Sequence, residues 1–213
     1  MIHALLPAGG HSLRMGRPKL ALPIGGRTVL EQVLHALGQS GIEHVLVVLG
    51  PHVADLAPLA QTAGAQVLVL RAATPDMRHT IEEGLSWLEK ECQPEPGDSW
   101  LLVPADHPTL SPTVVRQLVQ AQQAHPDKSI IIPTFQGKRG HPVLIGWQHV
   151  AGIRAVPPGQ GLNSYLRQQA EQTLELPVES KEILFDLDTP EDYERLRRRW
   201  GDHFHRESTG PTH

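Results

Sequence analysis

The chain has 213 residues, 39% hydrophobic and 20% charged, which supports a packed core without disulfide or metal staples and excludes disorder as the default. Nineteen Lys and Arg against 23 Asp and Glu leave a net charge of −4, and no long basic stripe marks a general nucleic-acid binder. The 19 glycines and 19 prolines exceed the usual share and predict many turns and long loops.

Short Val/Leu/Ile-rich runs predict strands at 2–6, 44–49, 66–70, 100–103, 130–133, 142–145 and roughly 182–185. The first run is too short and too poor in basic residues for a signal segment. No stretch approaches the ~18 apolar residues of a membrane helix. Cys92 alone cannot form an internal disulfide or a cysteine zinc site, so a reducing compartment, the cytoplasm, is expected.

Helical patterns separate these runs. Thr28 and Glu31 have capping-box spacing, Val29, Val33, Leu34 and Leu37 follow on one face, and Gly41 offers a left-handed stop. Ser111-Pro112 and Thr189-Pro190 each place a cap before a proline at the first helical position. Alternating strands and helices predict an α/β fold, a mainly parallel sheet with right-handed crossovers. One domain over 1–200 is expected, and the loss of apolar periodicity after residue 201 suggests a flexible tail over 201–213.

The loop after the first run, residues 7–19, holds Gly9, Gly10, Gly16, Arg14, Arg17 and Lys19. Glycines admit close backbone approach to a phosphate and the cations neutralise it, whereas a plain surface turn leaves the converging cations unexplained. Neither the Walker spacing nor Gly-x-Gly-x-x-Gly occurs. Asp106, after the run at 100–103, suits either a turn or a Mg²⁺ site facing a polyphosphate. Asp186 and Asp188 precede the last helix, and Glu191 and Asp192 suit its first turn. The 13 histidines lack metal-binding spacing and read as surface residues. Arg197, Arg198 and Arg199 read as charge near a helix C-terminus, and Trp87 and Trp147 as packing residues.

Leu6-Pro7-Ala8-Gly9-Gly10, with Arg14-Met15-Gly16 and Lys19, resembles the signature loop of MobA-like nucleotidyltransferases. That family includes enzymes that attach GMP or CMP to molybdopterin and is related to sugar-phosphate nucleotidylyltransferases. The resemblance continues in Pro104-Ala105-Asp106-His107-Pro108, Arg139-Gly140-His141-Pro142 and Asp186-Leu187-Asp188-Thr189-Pro190. It implies a three-layer α/β/α sandwich and Mg²⁺-dependent transfer of a nucleotide from CTP or GTP to a phosphorylated acceptor. Ala8, Gly9, Gly10, Arg14, Lys19 and Arg78 then bind the nucleotide, with Arg14, Lys19 and Asp106 catalytic. Asp106 and Asp188 hold the metal, with Asp186 the alternative, and Arg139 and His141 border the acceptor. Arg78 reads equally as an anion ligand or an exposed helix charge. A molybdoenzyme is the further partner implied, and no membrane or nucleic acid is. A sugar- or polyol-phosphate acceptor stays open, because residues 159–164 lack the Gly-x-x-x-Arg of the molybdopterin cytidylyltransferases. So does an NTP sensor without turnover.

Overall fold

The computed structural model describes residues 1–10, 15–16, 18–157 and 159–207, with backbone alone from 201 onward. The strands are β1 (Ile2–Ala8), β2 (Pro23–Ile24), β3 (Arg27–Thr28), β4 (His44–Leu49), β5 (Gln66–Val69), β6 (Ser99–Leu102), β7 (Ile130–Phe135), β8 (Lys138–Arg139), β9 (Val143–Gly146) and β10 (Thr173–Pro177). The helices are α1 (Val29–Ser40), α2 (Ala57–Thr62), α3 (Met77–Cys92), α4 (Pro112–Ala124), α5 (Val150–Arg154), α6 (Leu162–Gln168) and α7 (Pro190–Glu207).

Strand residues alternate between two buried faces, as in a sheet covered on both sides. Ala4, Leu6 and Ala8 of β1 pack with Val33 and Leu37 of α1, Leu118 of α4 and Leu196 of α7. Leu5, between them, faces Ile81 and Leu85 of α3, Ile153 of α5 and Leu166 of α6. The result is the three-layer α/β/α sandwich that the family resemblance implied, built on the α/β alternation expected from the element order.

Among the described residues the main sheet has eight strands, ordered β10-β7-β9-β6-β1-β4-β5, with β8 paired to β7. β1 is parallel to both β4 and β6, and β10 is parallel to β7. Only β8 and β9 run against their neighbours. The chain leaves β1 through α1 towards β4 and later returns to β6 on the other side of β1. This places a topological switch point between the carboxyl ends of β1 and β6, where open α/β sheets form their ligand crevice.

The helix starts follow local chemistry. Thr28 Oγ1 accepts from the Glu31 amide at 3.2 Å, and Glu31 accepts from the Thr28 amide at 2.7 Å. Gly41 ends α1 with φ 84°, a conformation glycine adopts without penalty. Ser111 caps α4, and Thr189 with Asp192 closes a second reciprocal cap on α7.

The structure corrects the sequence expectations in four places. The run at 182–185 is not a strand. Residues Lys181–Leu184 form a single 3-10 turn that buries Ile183 and leaves Leu184 exposed. The edge strand is instead β10, whose half-exposed face carries Thr173 and Glu175. The helix α7 continues to Glu207, so the segment expected to begin a tail at 201 is helical in its first turns. Arg197 and Arg199 therefore lie within that helix, paired with Glu194 and Glu182 rather than serving its end. His3, His107 and His149 are buried, not surface, residues. Trp147 and the partly buried Trp87 pack against the α3–α5–α6 side. Among the described residues no helix is long and apolar enough to cross a membrane.

Candidate active site

The switch point is lined by the turn after β1 and the turn after β6. Gly9 is buried, Gly10 is exposed, and the Gly10 carbonyl accepts from His52 Nε2 at 3.1 Å. A Cβ at Gly9 would lie 2.5 Å from Thr80 Oγ1 and 3.2 Å from Thr74 Oγ1. No larger residue fits there without moving the start of α3. This is the role expected of a glycine where backbone must approach closely. Gly50, after β4, is packed as tightly, its would-be Cβ 3.2 Å from the Gly9 Cα. The Ala8 carbonyl accepts from the Gly50 amide at 3.2 Å, which ties the loop to the end of β4.

Lys19 connects this loop to both acidic segments. Its Nζ donates to the Asp106 carboxylate, to the Leu187 carbonyl at 3.0 Å and to Asp188 Oδ1 at 3.3 Å. The three side chains are only partly exposed, at 17%, 20% and 32% for Lys19, Asp106 and Asp188, so solvent screens the pairs incompletely. The Leu187 amide donates to the Asp106 carbonyl at 3.4 Å, holding the two acidic segments side by side. Asp186 is exposed and lines a separate cavity with Asp192 and Arg195. The two acidic motifs are thus brought to one cation, with Asp188 reaching it. Arg14 lies outside the described residues, as do Arg17 and Ser12.

Behind Asp106 sits His107, 1% exposed, with Nδ1 lacking a partner. Burial pushes its pKa down to about 4, and nearby His141 adds to the fall against the opposing pull of Asp106. His141 is also held below the ordinary histidine value by burial. Its backbone amide donates to the Ile183 carbonyl at 2.8 Å, which seats it beside the turn before Asp188. Both rings are neutral at neutral pH. They form a low-dielectric wall beside the carboxylates.

Arg78 is neither exposed nor directed to solvent. It is 7% exposed, donates from Nη1 to the Val156 carbonyl at 2.5 Å and stands 3.6 Å from Glu82. It therefore braces α3 against the segment after α5. Arg139 lies on β8 and makes a two-nitrogen contact with Glu175 at 2.8 and 2.7 Å. Sequence reasoning missed Thr74 and Thr80, whose hydroxyls are 2.6 Å apart against Gly9. The pair joins the segment before α3 to its first turn and meets Gly9 from about 70 residues away, which no spacing announces.

Mg²⁺ takes one or two carboxylates and completes its shell with water and substrate phosphates. Asp106 and Asp188 fit that demand, since two hard oxygens already share one cation. Among the described residues no group of three or more His, Cys, Asp or Glu could hold a metal alone. The donor set thus suits an ion completed by substrate.

Residues 4–173 match the MobA-like NTP transferase domain, a span that stops before Asp188. Purine catabolism protein PucB of Bacillus subtilis is 27% identical over 200 residues, covering 90% of this chain and 93% of that protein. Nicotine blue oxidoreductase of Paenarthrobacter nicotinovorans is 26% identical, covering 92% and 96%. Among solved structures, a nucleotidyl transferase from Methanothermobacter thermautotroptrophicus superposes with a TM-score of 0.78 at 22% identity, covering 95% of this chain and 99% of that one. That likeness speaks for the fold, while the family match covers most of the chain, loop and first carboxylate included. The chain belongs to the MobA-like NTP transferase family and is a nucleotidyltransferase of that type.

Proposed function

We propose that this chain transfers a nucleoside monophosphate from CTP or GTP to a small phosphorylated acceptor, molybdopterin first among those the family resemblance implies, and that the reaction depends on Mg²⁺. The unit responsible is residues 1–200. The observation that carries the reading is Lys19 Nζ held between Asp106 and Asp188 at the mouth of the glycine loop.

An acceptor phosphate oxygen attacks the α-phosphorus, the bond to the β-phosphate oxygen breaks, and pyrophosphate leaves. Such transfers depend on positioning and charge neutralisation more than on covalent participation. The phosphate nucleophile is already ionised at neutral pH, so no general base is needed. The backbone at Gly9 and Gly10 cradles the polyphosphate, and Arg14 stabilises the charge of the departing pyrophosphate. Lys19 moves its charge from the carboxylates to the departing pyrophosphate. Asp106 and Asp188 are the residues that would hold the metal. When bound, that ion supplies charge neutralisation across phosphate oxygens.

The test is pyrophosphate release with Mg²⁺ over four NTPs and an acceptor panel. Release with molybdopterin supports the reading. Release only with a polyol or sugar phosphate moves the acceptor to that class. Tight NTP binding with no release under any acceptor overturns it in favour of a sensor.

A further inference from the structure

Beside His141, on the α6 side of the sheet, a cavity of about 240 Å³ opens between β8 and α6. Ile132 and Leu166 give it an apolar floor, and Arg139, His141, Asn163 and Arg167 give it a polar rim. Its volume falls below the ~300–1,000 Å³ of sites for drug-sized ligands, so it holds one head group rather than a whole large acceptor.

The charges on the rim are unequal. Arg139 is engaged through two nitrogens with Glu175, which balances its charge. Arg167 has no ion-pair partner among the described residues, and no carboxylate lines the cavity. Asn163 and Arg167 stand four residues apart on α6, a spacing that puts both on one face. An amide and a guanidinium side by side, over an apolar floor, match an oxyanion carried on a short carbon skeleton. The cavity also neighbours the segment that carries the second carboxylate, because the His141 amide donates to the Ile183 carbonyl at 2.8 Å, four residues before the Leu187 carbonyl that accepts from Lys19.

We propose that Arg167 and Asn163 bind a second anionic oxygen group of the acceptor, phosphate or carboxylate, separate from the phosphate that attacks, and so select acceptors carrying one. The inference rests on the reading of the chain as a transferase with a small phosphorylated acceptor. Arg139 is then a wall of the subsite, and Arg167 is its charge.

The test follows the Arg167 side-chain Nε–H resonance in the full-length chain, identified by its loss in Arg167→Gln. Glycerol 3-phosphate, inorganic phosphate, lactate and glycerol are titrated separately. A saturable shift with either phosphate or with lactate, and none with glycerol, supports the proposal and names the anion. Asn163→Ala should weaken that binding about fivefold, and Arg167→Gln should raise the acceptor KM by about tenfold or more. Arg167→Lys should recover part of the loss, while NTP affinity stays within about twofold in every variant. An unmoved Arg167 resonance with all anions, or an unchanged acceptor KM in Arg167→Gln, overturns it. Loss of NTP binding by the wild-type chain would instead count against the transferase reading, and the anion titration would stand apart from it.

Discussion

Lys19 Nζ donates to Asp188 Oδ1 at 3.3 Å across 169 residues of chain, while also holding the Asp106 carboxylate. Two carboxylates that converge from separate strands and turns repel one another, and a shared ammonium makes their approach favourable. In the proposed reaction the same ammonium passes to the polyphosphate, so this contact would link folding of the crevice to that chemistry.

Replacing Lys19 by Ala should lower kcat/KM by on the order of 10²–10³-fold, the usual loss of a preorganised charge donor. The same variant should bind Mn²⁺ more tightly than wild type without nucleotide, on the order of tenfold, because the competing ammonium is gone. Steady-state kinetics and a Mn²⁺ titration read the two effects. Activity within about threefold of wild type would remove Lys19 from the reaction.

The two aspartates before α7 should separate cleanly. Asp188→Asn is expected to cost on the order of 10²-fold in kcat/KM and to weaken divalent-ion binding, as should Asp106→Asn. Asp186→Asn, at an exposed position lining another cavity, should stay within about fivefold. A reversed order between Asp186 and Asp188 would reassign the second metal carboxylate.

Gly84 sits where α3 crosses the sheet. A Cβ there would lie 2.5 Å from Leu5 Cδ1 and 2.9 Å from Val48 Cγ2, both in the buried core. Gly84→Ala should therefore cost about 1–3 kcal/mol by overpacking, in spite of alanine's better helix propensity. The thermal midpoint should fall by roughly 2–4 °C per kcal/mol for a chain of this size. An unchanged midpoint would show that α3 can shift.

Acid should destabilise the fold through buried histidines. His3 is 1% exposed, and neither ring nitrogen has a partner. Burial first, then the charge of His44, lowers its pKa from 6.5, against the opposing pull of Asp98. His149 is lowered by burial as well. Below about pH 6.5 the unfolded chain takes up protons that the folded one refuses, so stability is complete above that value and falls as pH drops. His3→Leu should gain about 1 kcal/mol at neutral pH and flatten the acid decline. Parallel midpoint-against-pH curves for the two proteins would exclude His3 as a source.

Where a feature depends on neighbouring residues alone, the sequence displayed it. Both reciprocal caps, Thr28 with Glu31 and Thr189 with Asp192, follow from groups three residues apart. The strand run at 182–185 misled because three consecutive apolar residues after Glu182 do not say which of them is buried. Only Ile183 is, and its carbonyl is committed to His141 rather than to a ladder. β10 did carry its own signal, since Leu174 and Leu176 alternate with Thr173 and Glu175. Arg78 carried none, because burial of a guanidinium depends on the Val156 carbonyl supplied from 78 residues away.

Periodicity, caps and turn chemistry act over a few residues, so the α/β alternation, most of the sheet strands and the glycine loop were legible in the sequence itself. The meeting of Lys19 with Asp106 and Asp188, the burial of Arg78 and the cavity beside Arg167 were decided only in three dimensions. Each depends on which strand ends the crossovers bring together, and that order is fixed by packing across both faces of the sheet.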